Sequence, residues 1–389
     1  MPGLRSPGSG EEPLPASAEV VVIGGGVIGL SIACHLAEAG VRDVVVLERD
    51  LLGRGSSAKP LGGVRATFSD PGNIMLGQRS LEAYEAFGAD IGLRQVGYLF
   101  LCRTEAEVAA VEASTRLQRE MGGSGRLVPP AEAVRLNPFL AGDALLAASF
   151  SPRDGYAEPH RVVAAYRAAG RQLGVRHCEH AEVRDIARTD GAISAVETSR
   201  GVVRTARVIC AAGAWSARIG EMAGVHLPVQ PVRRQIGLTA TGGPPPAIPF
   251  TLDLGTTFYF HGYDEGLLLG ISDPDEVPGF DREFTRDWLP AFDRAAAVVA
   301  PALRRPDLRS GWAGLYENTP DHNALIGSAT PGFLYATGFS GHGFLQAPAV
   351  GELVRDVYLG RPPFMDPAPF SADRFAAAAV QEIHEVHII

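Results

Sequence analysis

The chain has 389 residues and a formal net charge of −9, from 44 acidic against 35 basic side chains, and 46% of it is apolar. That is long enough for two domains with a large core and too apolar for a disordered chain. The acidic balance argues against a nucleic-acid partner, which would want a basic surface. Cys34, Cys102, Cys178 and Cys210 show no C-x-x-C spacing, and this fits a reducing, cytoplasmic setting. Lysine occurs once, at Lys59.

Residues 1–18 are rich in Pro, Gly, Ser and Glu and lack the basic and apolar stretches of a signal peptide, so they read as a disordered leader. The chain is organised around residues 19–49. The run Val20-Val21-Val22-Ile23 predicts a buried strand. Gly24, Gly26 and Gly29 follow at G-x-G-x-x-G spacing, then an apolar helix from about 27 to 39 with Gly40 as its C-cap. A second strand, 44–47, closes on Glu48. Gly24 suits a tight turn, Gly26 close approach to a pyrophosphate, Gly29 close packing of helix on strand, and Glu48 the ribose hydroxyls. Strand, glycines, helix, strand and terminal acid in this order specify a dinucleotide-binding unit. No membrane span is expected, because Cys34-His35 and Glu38 interrupt the apolar run short of the roughly 20 residues needed.

The loop 53–65 is dense in glycine and small polar residues, including Gly62 and Gly63. Such a loop cradles phosphate oxygens or presses on a flat ligand, with Ser56 and Ser57 as donors and Lys59 and Arg65 as charges. A helix is predicted over about 71–89, a strand over 97–101, a solvated helix over about 105–121 and a short helix within 129–140. A further helix, 160–173, precedes His177-Cys178-Glu179-His180, which alternates as a short exposed strand. That run has no second ligand cluster, so no metal is expected. Segments 183–186, 192–197 and 201–204 form a β-meander, and 208–210 a buried strand ending in the turn at Gly213 and Trp215.

A nicotinamide dehydrogenase would complete its nucleotide fold with consecutive βα units. Here a meander intervenes, and this interrupted pattern suits FAD better than NAD. Residues 226–310 are proline-clustered and β-rich, a second sheet on which Tyr259 and His261 are the polar candidates for a ligand face, with a structural role the alternative. After the strand 333–337, Gly338-Phe-Ser-Gly341-His342-Gly343-Phe344 makes a second glycine-rich turn into a helix placed at 347–359. Backbone N–H groups there suit the negative edge of a reduced flavin. His342 either assists them or is structural.

The motifs IGGGVIGLS (23–31), LERD (47–50), GSSAKPLGGVR (55–65), AAGAWS (211–216), ENTPDHNALIG (317–327) and GFSGHGF (338–344) make the chain resemble the FAD-dependent amine and amino-acid oxidoreductases of the D-amino-acid oxidase superfamily. Within it the chain looks most like the sarcosine oxidase and dimethylglycine dehydrogenase group, particularly the β subunit of heterotetrameric sarcosine oxidase. The resemblance implies an α/β plus α+β fold: an interrupted Rossmann-type FAD-binding domain (19–95, 152–225, 318–365), a second antiparallel-sheet substrate domain (96–151, 226–317) and a C-terminal tail (366–389). It implies oxidation of a C–N bond in a small secondary or tertiary amino acid, with dioxygen or an electron-transfer partner as acceptor and a homo- or hetero-oligomer as possible assembly; the alternatives are a glycine or D-amino-acid oxidase or dehydrogenase, a specialised biosynthetic amine oxidase, and an FAD-binding assembly subunit.

By the same resemblance Arg65 falls where the substrate carboxylate is bound, and Tyr259 and Tyr316 line the substrate pocket. The expected cofactor contacts are Gly24, Gly26, Gly29, Glu48, Arg49, Ser56, Ser57, Gly62, Gly63, Val183, Gly213, Trp215, Gly338, Gly341, His342, Gly343 and Phe344. Single-chain sarcosine oxidases attach flavin through a cysteine where this chain has Gly314, so FAD is expected to be non-covalent. Their oxygen-activating lysine corresponds to a leucine here, Leu268, and a second lysine to Leu345-Gln346. Lys59 is the cation left to replace that charge.

Overall fold

The computed structural model describes residues 12–87, 89–240, 247–263 and 266–375. Four β-branched or aliphatic residues in a row have no polar face, so Val20–Ile23 is buried throughout as a central strand of a six-stranded sheet. Val44–Leu47 pairs with it in parallel on one side and Val208–Cys210 on the other. Beyond Val208–Cys210 lies Phe333–Thr337, also parallel, and then the antiparallel edge strand Leu325–Thr330. The opposite edge is Arg176–Cys178, parallel to Val45–Leu47. The predicted meander, Val183–Thr189, Ala192–Thr198 and Gly201–Arg204, forms its own three-stranded sheet.

Two helices bring distant parts of the chain together. Val27–Glu38 leaves the first glycine turn, and Gly343–Leu359 leaves the second. They pack side by side at Gly351, where a Cβ would come within 2.2 Å of Ser31 Oγ. The Ser31 hydroxyl donates to Ala347 O at 2.7 Å. Residues more than 300 apart in sequence are thereby locked together, which carries the two glycine turns to one place.

The second sheet has eight strands, built from Tyr98–Cys102, Arg126–Val128, Ala147–Ser151, Gln230–Thr239, Phe250–Asp253, Tyr259–Tyr263, Gly266–Gly270 and Leu308–Asn318. Its longest pairing, Gln230–Thr239 with Leu308–Asn318, is antiparallel. The sheet is not wholly antiparallel as predicted: Phe250–Asp253 runs parallel to Tyr98–Cys102, because a strand from the middle of the chain inserts beside one from its first third. One face packs on the helix Leu289–Val299, burying Phe258, Phe260, Phe292 and Leu269.

Several local expectations change. Residues 12–18 are not a disordered leader: Glu12 Oε2 accepts from His177 N at 2.8 Å, and Ala18 N donates to Arg204 O at 2.9 Å. Residues 1–11 lie outside the described residues. His177 and Cys178 are not on an exposed strand either, being 5% and 0% exposed beneath that N-terminal segment. The helix expected to reach residue 89 ends at Glu85 and is started by Asp70, whose carboxylate accepts from Asn73 N, with Pro71 at N1. The last helix begins at Gly343, four residues before its predicted start, so the glycine turn itself supplies the helix N-terminus. Of the tail, residues 371–375 fold back, and Arg374 grips Asp321 with two hydrogen bonds of 2.7 and 2.9 Å. Residues 376–389 lie outside the described residues.

Candidate active site

One cleft runs between the two sheets and encloses about 1800 Å³ of atom-free space, part of it open to solvent. Gly24, Gly26 and Val27 of the first glycine turn line it, and so do Gly341, Gly343 and Phe344 of the second. Its far wall is the face of the eight-stranded sheet that carries Arg234, Ile236, Tyr259 and Tyr316.

At the first turn the glycines are dictated by space. Gly24 has φ +112°, and a Cβ on it would fall 2.2 Å from Ala211 O. A Cβ on Gly29 would fall 2.0 Å from Gly24 O, so Gly29 serves helix-on-strand packing and does not line the cleft. Gly26 is different: only Ser57 Oγ stands near its Cβ direction, at 3.1 Å, leaving an open cradle at the helix start. Ser57 Oγ accepts from Val27 N at 2.8 Å, while Ser56 donates to Leu315 O at 2.8 Å and ties the loop to the second sheet.

Glu48 lines the cleft at the end of the second strand. Its Oε2 accepts from Gly25 N at 2.8 Å and its Oε1 from Asp50 N at 2.9 Å. Burial pushes its carboxyl above the usual range, against those two hydrogen bonds. Beyond Glu48 the mouth is aromatic and basic. The Arg49 guanidinium stacks 3.4 Å over Trp215, which stacks in turn on Phe280 at 5.3 Å, and Arg218 lies 4.4 Å over Phe280. Val183 and Gly213 complete this end.

At the other end Tyr259 donates to Gln235 O at 3.3 Å, and burial raises its phenol and that of Tyr316 above the usual value, so both are neutral near pH 7. Lys59 lines the cleft beside Gly314, where a Cβ would fall 2.7 Å from Lys59 Cβ. Glu317 is also on the wall, and burial pushes its carboxyl up to about 7 despite hydrogen bonding to Thr337.

Gly62, Gly63, Gly338, Arg65 and His342 are not on the cleft wall. Gly62 and Gly63 are packing positions: Cβ atoms there would strike Ala157 O at 2.1 Å and the Tyr98 hydroxyl at 2.0 Å. Gly338 adopts φ +69° against Thr319. Arg65 is 2% exposed; it donates to Thr67 O and, at 3.0 Å, to His342 Nε2. Because a guanidinium can only donate, Nε2 is the acceptor and the His342 proton sits on Nδ1. His261 takes the structural alternative: it is fully buried, stacks on Phe250 at 4.6 Å, and burial pushes it down to about 4. Among the described residues no group of three or more His, Cys, Asp and Glu is arranged to hold a metal.

Sequence reasoning passed over Arg218, Arg234, Arg282 and Glu317, all on the cleft wall. One signal for Arg234 was available. In a strand, Arg233 and Arg234 must face opposite ways, so one of them faces the flavin side if the sheet covers the ligand.

The donor set fits a dinucleotide: an open glycine cradle at a helix start, an acid after the second strand, and a second helix start at the far end of the same cleft. The family model described as FAD dependent oxidoreductase, DAO, matches residues 19–357. The chain belongs to this family of FAD-dependent oxidoreductases. Among its relatives, dimethylglycine dehydrogenase of Homo sapiens is 30% identical over 92% of this chain and 45% of its own length. The chain thus spans just under half of that relative. Glycine oxidase of Geobacillus kaustophilus (strain HTA426) is 30% identical over 92% of this chain and 97% of its own. Among solved structures, the L-proline dehydrogenase from P.horikoshii is 32% identical with a TM-score of 0.87, covering 93% of this chain and 99% of that one. The expected architecture, an interrupted Rossmann-type unit with a second sheet, is the one observed.

Proposed function

We propose that the chain oxidises the C–N bond of a small secondary or tertiary amino acid, with FAD held non-covalently in the cleft and an imine as product. The observation that carries this reading is the shared cleft: both glycine turns line it, opposite a sheet face bearing two neutral tyrosines. FAD bound there supplies the hydride acceptor. The chain's own part is binding and orientation. The Gly24–Val27 turn and Ser57 hold phosphate, Glu48 the ribose, and Arg49 with Trp215 a flat base. The N-terminus of Gly343–Leu359 places partial positive charge at the far end of the cleft. Tyr259 and Tyr316, neutral phenols that burial moves still further above neutral pH, position the amine and do not act as bases. The apolar wall at Leu61 and Ile236 favours the neutral amine, whose lone pair assists loss of hydride from the adjacent carbon. Holding that C–H in line contributes several kcal/mol, part of the roughly 7–11 kcal/mol that orientation can supply. Neither cysteine nor histidine is among the lining residues described, which supports non-covalent FAD.

A second reading, oxidation of a primary amine, is favoured by the full-length match to a glycine oxidase. The test is to purify the yellow protein and screen paired N-methyl and primary amino acids anaerobically. Bleaching by the N-methyl member supports the first reading, bleaching by the primary member the second. No bleaching across the panel would favour a binding or assembly subunit. Readmitting air separates dioxygen from another electron acceptor. No described helix is long and apolar enough to cross a membrane, and we assign the protein to the cytoplasm on its four buried, unpaired cysteines.

A further inference from the structure

Arg233 and Arg234 are neighbours on the strand Gln230–Thr239 and point to opposite faces of its sheet. Arg233 is satisfied: it donates to Glu276 at 3.1 Å and to Asp281 at 2.7 Å. Arg234 lines the cleft, and among the described residues it has no ion-pair partner. Among the described residues its one hydrogen bond runs from Nη1 to the carbonyl of Arg233 at 3.0 Å, and its buried Nε has no partner. The guanidinium carbon stands 5.3 Å from the centre of the Tyr316 ring. Across the strand its Cα partner is Gly314, and the Lys59 side chain takes the space beside that glycine, its Cβ 2.7 Å from where a Cβ on Gly314 would stand.

A guanidinium facing an apolar-walled cleft with a buried, unbonded N–H is costly unless an anion completes it. Arg65, the residue that the sequence offers for this role, is enclosed behind the wall with its donors on Thr67 and His342. We infer that Arg234, not Arg65, holds the carboxylate of the amine substrate, with Lys59 as a second cation at the same subsite. The inference rests on the amine-oxidation reading above. It makes the preferred substrates amines that carry a carboxylate, and it places their recognition on Arg234 of the sheet with Lys59 of the loop 53–65, and not on Arg65.

The experiment uses FAD-loaded protein and two readouts. The first is titration with propionate, an unreactive carboxylate, followed by the change in flavin absorbance. Wild type binds it, Arg234→Gln weakens binding about 100-fold, and Arg234→Lys recovers part of the loss. Arg65→Met, scaled to its own FAD content, keeps propionate affinity within about threefold, the range of a residue outside the subsite. The second readout is kcat/KM for an N-methyl amino acid against its carboxamide: Arg234→Gln lowers the first about 100-fold and the second far less. No propionate binding in wild type, equal affinity in Arg234→Gln, or parallel loss for acid and amide overturns the inference. So does a variant that sheds FAD yet binds propionate normally once reloaded, which would assign Arg234 to the cofactor. If propionate binds through Arg234 but no amine is turned over, the subsite stands and the amine-oxidation reading fails.

Discussion

Lys59 is the chain's one lysine, and its position is set by the loop that follows the second strand. The Lys59 carbonyl accepts from Trp312 Nε1 at 2.9 Å, which pins the loop against the second sheet while the side chain lines the cleft. A cation there would stabilise the negative charge that develops if dioxygen takes electrons from reduced FAD. Lys59→Met should therefore slow reoxidation by dioxygen about tenfold or more while leaving FAD bound. Stopped-flow mixing of reduced protein with aerated buffer reads this directly, and an unchanged rate removes Lys59 from that role. The sequence marked Lys59 because no other lysine exists, and it singled out Arg65 while passing over Arg234, which lines the cleft. Arg65 is absorbed by Thr67, two residues away, and by His342, 277 residues away. Contacts of that separation leave no mark in local spacing. Arg234 stayed hidden for a related reason: its neighbour finds Glu276 and Asp281 only when a distant loop folds over the strand.

At the scale of elements, the first βαβ unit was readable because each of its demands is local. Four apolar β-formers fix the strand, and glycines fix the turn. Gly29 is the sharpest case, since any Cβ there meets the backbone oxygen of Gly24 at 2.0 Å. Backbone cannot swing aside as a side chain does, so Gly29→Ala should cost about 3 kcal/mol or more and empty the cleft of FAD. Urea unfolding together with the ratio of flavin to protein absorbance tests both effects; a variant with normal stability and full FAD would show that the turn yields. Element ends were read less well. The helix at 71–85 stops four residues before its predicted end, and the last helix starts four residues early. In each case the error lies where tertiary packing, not composition, chooses the boundary. The burial of His177 likewise follows from residues 12–14 lying across it, a contact that no alternation pattern reports.

At the scale of the whole molecule, stability depends in part on a buried polar network at the end of the strand Ala147–Ser151. Asp154 is 2% exposed, accepts from Thr67 Oγ1 at 2.5 Å and from Ala66 N at 3.1 Å, and burial pushes its carboxyl up to about 6 from an ordinary 3.8. The folded state thus holds a proton that the unfolded chain has already released. Between pH 3.8 and about 6 this group makes stability fall as pH rises, and above about 6 the loss is complete. Asp154→Asn removes that term. Denaturant unfolding of wild type and variant should diverge in the variant's favour as pH rises from 4.5 to 7, by on the order of 2 kcal/mol. Parallel curves would mean that Asp154 ionises as freely in the folded protein as in the unfolded one. The interleaving of the two sheets was legible as an interruption of the nucleotide fold. The insertion of Phe250–Asp253 beside Tyr98–Cys102 was not, because strand order depends on which apolar faces meet.

Strand order also has a consequence for biosynthesis. Val208–Cys210 has Phe333–Thr337 as its outer neighbour, and the helix that braces Val27–Glu38, Gly343–Leu359, is the last long one among the described residues. A ribosome delivers that strand well over a hundred residues later, and Ala347, which holds the bracing helix on Ser31, 316 residues after that serine, while one edge of the sheet waits uncovered. Capture of FAD in the shared cleft therefore waits for the second glycine turn, and the open edge is exposed to wrong pairing until its strand arrives.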